Sequence, residues 1–165
     1  MMTKSQLIDS LCHECQIVKH LHGKLKPEQL DFRPAAGMRT TLETLRYLAA
    51  CGIAPMKGAL AENFEVMTAY FGEAANLTSE QIPTAMDKQA AGIREALAGI
   101  PEAEYDTREL SYPWGYKDKM GIALVNTSLK FMTAYRMQLF LYAKMSGSAE
   151  LTTANCWAGM DMPPA

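Results

Sequence analysis

Histidine is scarce in this chain: its 165 residues hold three, all between positions 13 and 22. No Ser-His-Asp or Cys-His spacing of the kind that activates a nucleophile is visible. Excess charge is lacking too. The formal net charge is -2, which leaves no electrostatic case for binding nucleic acid. Four cysteines are too few for a disulfide scaffold at this length, and they suit a reducing compartment. No basic segment followed by an apolar run opens the sequence, so no signal peptide and a cytoplasmic location are expected. Internal repeats and low-complexity segments are absent. What is present is enough chain for one domain with a real core. Twelve methionines suit a loosely specified helical core, or one that adapts to apolar ligands.

Apolar spacing predicts the first helix over residues 3–22. Leu7, Ile8, Leu11, Cys15, Val18 and Leu21 fall on one side, and Gly23 follows as a C-cap. Cys12-His13-Glu14-Cys15 has the C-x-x-C spacing of a redox pair or half a zinc site. It lies inside the helix with no second C-x-x-C after it, so structural cysteines are expected. His13 and His20 share the outward side. His22 lies on the apolar side, either as a satisfied core residue or as a ligand.

Residues 24–39 read as a connector through Pro27 and Pro34. Thr40-Thr41-Leu42-Glu43 matches a capping box and starts the second helix, which Pro55 should kink near Cys51. Its inner stripe is Leu42, Leu45, Ala49, Gly52, Met56 and Ala59. Residues 63–77 are expected to be irregular. Thr78-Ser79-Glu80-Gln81 is a second capping box, opening a third helix to about Ala98 with Ile82, Met86, Ile93 and Leu97 inward. The aromatic-rich stretch 102–119 is expected to form a hairpin-like flap over the bundle mouth. Within it Trp114 has either a packing or a binding role.

The stretch Gly121–Gly147 is about seven turns at roughly 3.6 residues per turn. Ile122, Val125, Leu129, Met132, Leu139 and Ala143 make one apolar stripe; Leu124, Phe131, Tyr135 and Tyr142 make another. Lys130, Arg136, Gln138 and Lys144 are the main polar positions. The segment is long enough to span a bilayer, but charges at Lys130 and Arg136 are expensive in lipid. A helix buried in the core or facing a second copy is the expectation, with no membrane partner. Residues 148–165 read as a polar C-terminal tail in which Trp157 docks on the bundle or on a partner.

Four long amphipathic helices with long connectors predict an all-α four-helix bundle over residues 1–147. Three stretches also resemble one family. Leu25-Lys26-Pro27-Glu28-Gln29-Leu30-Asp31-Phe32-Arg33-Pro34 is similar to the loop after helix 1 of DinB-like proteins, the damage-inducible bundle superfamily. Tyr112-Pro113-Trp114-Gly115 resembles their flap before helix 4. Tyr135-Arg136-Met137-Gln138-Leu139 through Lys144 to Gly147 resembles the end of their helix 4. The resemblance implies a bundle with a long crossover connector, often a homodimer. It also implies a divalent metal held by three histidines, one on helix 2 and two on helix 4. Family members with that site include thiol-dependent transferases and isomerases that use bacillithiol or mycothiol.

Carried over by spacing, those ligand positions are Tyr47, Phe131 and Tyr135. Phenylalanine cannot ligate a metal, and tyrosine does so only as a phenolate, against a reference pKa of about 10. No metal or other cofactor is therefore expected at these positions. The alternative metal set is a shifted one, His22 with Cys15 and Cys51. The functional expectation is a non-catalytic bundle that binds a small apolar or aromatic ligand or a partner, with Tyr47, Phe131 and Tyr135 as the pocket and His22, Trp114 and Arg136 as its neighbours. Two alternatives stand beside it: a metal- or thiol-dependent transferase or isomerase, and a structural dimerisation module.

Overall fold

The computed structural model describes residues 2–162. Its elements are α1 (Lys4–His22), α2 (Thr41–Cys51), α3 (Ile53–Leu60), α4 (Glu65–Ala74), α5 (Ile82–Ala98), α6 (Glu102–Thr107), β1 (Glu109–Ser111), β2 (Lys117–Lys119), α7 (Met120–Leu124), α8 (Lys130–Met145) and α9 (Thr153–Trp157). α1 packs on α5 and α8, and α2 packs on the same two helices. The sequential pair α1 and α2 therefore sits across the bundle diagonal, and residues 23–40 cross one end of it. Gln29 anchors that crossover. Its Nε2 donates to Ala143 O at 3.1 Å and to Ser146 Oγ at 2.9 Å, at the last turn of α8.

Local chemistry starts and breaks the helices where the sequence places it. Thr3 and Gln6 form a reciprocal capping box on α1. Thr40 Oγ1 accepts from Glu43 N at 3.1 Å, and Glu43 returns a carboxylate to Thr40 N at 2.6 Å. The expected kink is the break between α2 and α3 at Gly52. There the buried amide of Gln89, from α5, inserts into the helix ladder. Its Nε2 donates to Leu48 O at 2.9 Å, and its Oε1 accepts from Gly52 N at 2.9 Å and Ile53 N at 3.2 Å. The backbone groups freed by the break are thus satisfied by a neighbouring helix.

Three expectations are corrected. Residues 63–77 are not irregular, because α4 runs through them. Phe64, Met67, Tyr70, Phe71 and Ala74 have helical spacing, and Gly58 on α3 lets Phe64 and Met67 approach closely. Second, the stretch 121–147 is not one regular helix: Val125–Leu129 is a π-helical segment between α7 and α8. Each π turn holds an extra residue, so the apolar phase slips. Thr127 and Ser128 become buried while Val125 and Leu129 are only half-buried.

Third, residues after Gly147 continue the fold. Leu151, Asn155 and Cys156 are buried, and α9 packs on α1 and α8. Arg136, one of the few polar positions of the stretch 121–147, is buried. Its side chain is 1 % exposed. Its Nε donates to Glu14 Oε2 at 2.6 Å and its Nη2 to Glu14 Oε1 at 3.2 Å. Its Nη1 donates to Cys156 O at 2.7 Å, and the Trp157 ring covers the guanidinium at 4.6 Å.

Stability should respond asymmetrically to this pair. Glu14→Ala leaves a buried guanidinium uncompensated and should lose about 3–5 kcal/mol in urea unfolding, whereas Glu14→Leu with Arg136→Met should lose far less. Equal losses in the two proteins would show that the pair is not the source of the penalty.

Candidate functional site

The candidate site lies where α2, α4, α8 and the crossover meet. Tyr47, on α2, is its centre. The Tyr135 ring, from α8, packs against it with centroids 4.3 Å apart, and the Phe71 ring, from α4, stacks on it at 5.0 Å. The Arg39 guanidinium, from the crossover, lies 4.3 Å from the Tyr47 centroid and 5.3 Å from that of Tyr135. A guanidinium over two phenol faces is a cation–π arrangement, and it holds Arg39 in one orientation at the surface. Beside this cluster is a cavity of about 650 Å³ whose lining includes Arg33, Arg39, Glu43, Arg46, Tyr47 and Phe71.

The sequence-predicted residues divide. Tyr47 and Tyr135 come together. Phe131, one turn earlier on α8, faces the flap, where Trp114 approaches it at 6.4 Å. The flap is the expected hairpin, with β1 and β2 antiparallel and Leu110 opposite Asp118. At its tip Trp114 is 53 % exposed and stacks on Tyr112 at 5.1 Å; Gly115 closes the turn with φ +96°. Trp114 thus reaches Phe131, while the cavity lining is drawn from the crossover, α2 and the α4 end.

His22 and Arg136 are corrected as pocket neighbours. His22 ends α1 and is bonded to Ser79 Oγ at 2.9 Å, outside the cavity lining; burial holds its pKa below the usual value. Arg136 turns to α1 and α9, because Glu14 offers its guanidinium a buried carboxylate. Sequence reasoning missed Arg39, Arg46, Phe71 and Glu14. For the first two the available signal was a pair of arginines flanking the Thr40–Glu43 capping box.

The donor chemistry at Tyr47, Phe131 and Tyr135 does not fit a divalent metal. Phe131 has no donor atom. Burial pushes the Tyr47 hydroxyl above its usual pKa, with Cys51 and Tyr135 adding to the rise, so the phenolate needed for ligation is disfavoured. Among the described residues no group of three or more His, Cys, Asp or Glu side chains is placed to hold a metal ion. The thiols are no better prepared for chemistry. All four cysteines are free and buried. Burial, with the neighbouring Cys12, pushes the Cys15 thiol up to about 12, and Cys12, Cys51 and Cys156 are raised chiefly by burial as well.

The fold and site together define an all-α bundle with a half-buried aromatic cluster between α2, α4 and α8 and a hairpin flap beside it. The crystal structure of a DinB-like protein of Bacillus subtilis, YjoA, is similar in fold. Its TM-score is 0.65 at 14% identity, covering 86% of this chain and 92% of that one. The chain therefore has a DinB-like fold. No family model matches the sequence, and no curated protein matches it. No helix among the described residues is long and apolar enough to cross a membrane.

The buried thiols should be silent in the native protein. With a disulfide reagent such as DTNB at pH 8, no cysteine should react on the minute scale, and all four should react after denaturation. A single fast thiol in the native protein would restore a thiol-based mechanism.

Proposed function

We propose that this chain is a DinB-like bundle without the family's metal-ligand set, acting as a non-catalytic binding protein for small flat apolar or aromatic molecules. The observation that carries this reading is the stacked Tyr47–Phe71 wall, backed by Tyr135 and capped by Arg39, beside a cavity of about 650 Å³. Cavities of roughly 300–1,000 Å³ lined by aromatic side chains with a few fixed polar groups suit small-molecule ligands. The ring faces supply apolar contact area, and Arg39 supplies a fixed polar group at the edge. Four unpaired cysteines suit a cytoplasmic setting.

A transferase related to the bacillithiol- or mycothiol-dependent enzymes is the weaker reading. It needs a metal or an activated nucleophile, and the donor set at Tyr47, Phe131 and Tyr135 favours neither. Two measurements test the proposal together. Plasma mass spectrometry on untagged protein, purified without chelator, should find no stoichiometric zinc, nickel or iron. The neutral probe 2-naphthamide should bind in ligand-observed NMR, and Tyr47→Ala or Phe71→Ala should abolish the signal while the protein stays folded. Stoichiometric metal, or probe binding that survives both substitutions, would overturn it.

Self-association is a second reading, favoured by a specific surface. Leu141 and Met145 lie one turn apart on α8 and are 48% and 63% exposed. Apolar side chains of this size on an outer helix face suit burial against a second copy, which would make the protein a homodimer. Sedimentation velocity should give a dimer that Leu141→Glu converts to monomer. A wild-type monomer at every concentration would remove this reading.

A further inference from the structure

We infer that the cavity beside Tyr47 selects aromatic oxyanions, molecules that carry a carboxylate or phosphate on a flat ring; this rests on the ligand-binding reading above. Three guanidinium groups and one carboxylate line the cavity, and they are not equivalent. Arg33 is spent on structure: its Nη1 donates to Met38 O and its Nη2 to Glu43 Oε2 at 3.1 Å. The Glu43 carboxylate in turn is held by Arg33 and by the Thr40 N–H of the capping box. Their charges offset one another.

Arg39 and Arg46 make no ion pair among the described residues. Arg39 donates to Tyr135 OH at 3.4 Å, a long contact, and its remaining N–H groups lie free at the edge of the stack. Arg46 donates its Nε to Leu77 O at 2.7 Å, which fixes the side chain and leaves both Nη groups open. Two guanidinium groups outside any ion pair thus line the same cavity as the aromatic wall. Each is oriented by a contact that does not use its outward donors. Planar guanidinium groups match carboxylate and phosphate oxygens in paired hydrogen bonds, and the adjoining phenol and phenyl faces match a flat ring. A neutral ligand would leave both cations uncompensated, and a cationic one would be repelled.

Isothermal titration with matched probes tests this. 2-Naphthoate or 2-naphthyl phosphate should bind at least about tenfold more tightly than neutral 2-naphthamide, the difference expected from a charge-assisted hydrogen bond. The tighter of the two anions identifies the headgroup, and either result supports the inference. Arg39→Gln and Arg46→Gln should each weaken the two anions at least about tenfold more than they weaken 2-naphthamide. Lys88→Gln, which deletes a cation outside this cavity, should change nothing. Equal binding of anion and amide, or a preference that survives both arginine substitutions, overturns the anion selectivity while the pocket stands. Failure of all three probes overturns the pocket as well.

Discussion

The buried pair of Arg136 and Glu14 sets the register on which the rest of the bundle depends. A guanidinium in the interior tolerates one arrangement, the one in which its donors meet Glu14 and the carbonyl of Cys156. α1, α8 and α9 are thereby fixed together. Neighbouring helical residues project about 100° apart, so turning Arg136 toward α1 turns Tyr135 toward α2. The aromatic contact between Tyr135 and Tyr47 is the other face of the same constraint. A hydrophobic pair in place of the ion pair would fill the volume, but it would specify the rotation of α8 less sharply.

Legibility in the sequence followed the range of the interactions. Features decided within one turn were readable: the Thr40–Glu43 capping box, the break that Pro55 brings near Cys51, and the inward set Ile82, Met86, Ile93 and Leu97 of α5. The flap was readable from its aromatics and from Gly115. Features decided by a distant partner were not. Arg136 read as a pocket neighbour because nothing near it in sequence announces Glu14, on another helix. α4 was hidden for a different reason. It covers the bundle on a narrow strip, only Ala74 is buried, and its half-buried Val66 and exposed Ala69 and Gly72 blur a spacing that is in fact helical.

At the candidate site the structure brings Tyr47 and Tyr135 together, and the sequence reading did not include the Arg39, Arg46 and Phe71 that surround them. Arg39 and Arg46 sit on either side of a cap, where no periodicity marks them, and their shared surroundings arise only when the crossover folds over α2. Phe131 belongs to the flap and Trp114 more than to the cavity. At this point of the fold, phenol rings gather under a cation. Likeness of fold to YjoA fixes the scaffold and leaves the chemistry to the side chains.

The π-helical segment Val125–Leu129 has a consequence for how this chain can be compared with others. It makes residue numbering along the last long helix depend on the direction of counting. Counted back from Gly147, Tyr135 and Phe131 lie within uninterrupted α8, and the offset to any regular helix is constant. Counted forward from the flap, the same residues arrive one place late. An ungapped alignment of this helix with one that lacks the segment must therefore misplace either the flap or the site, and a single gap inside residues 125–129 restores both.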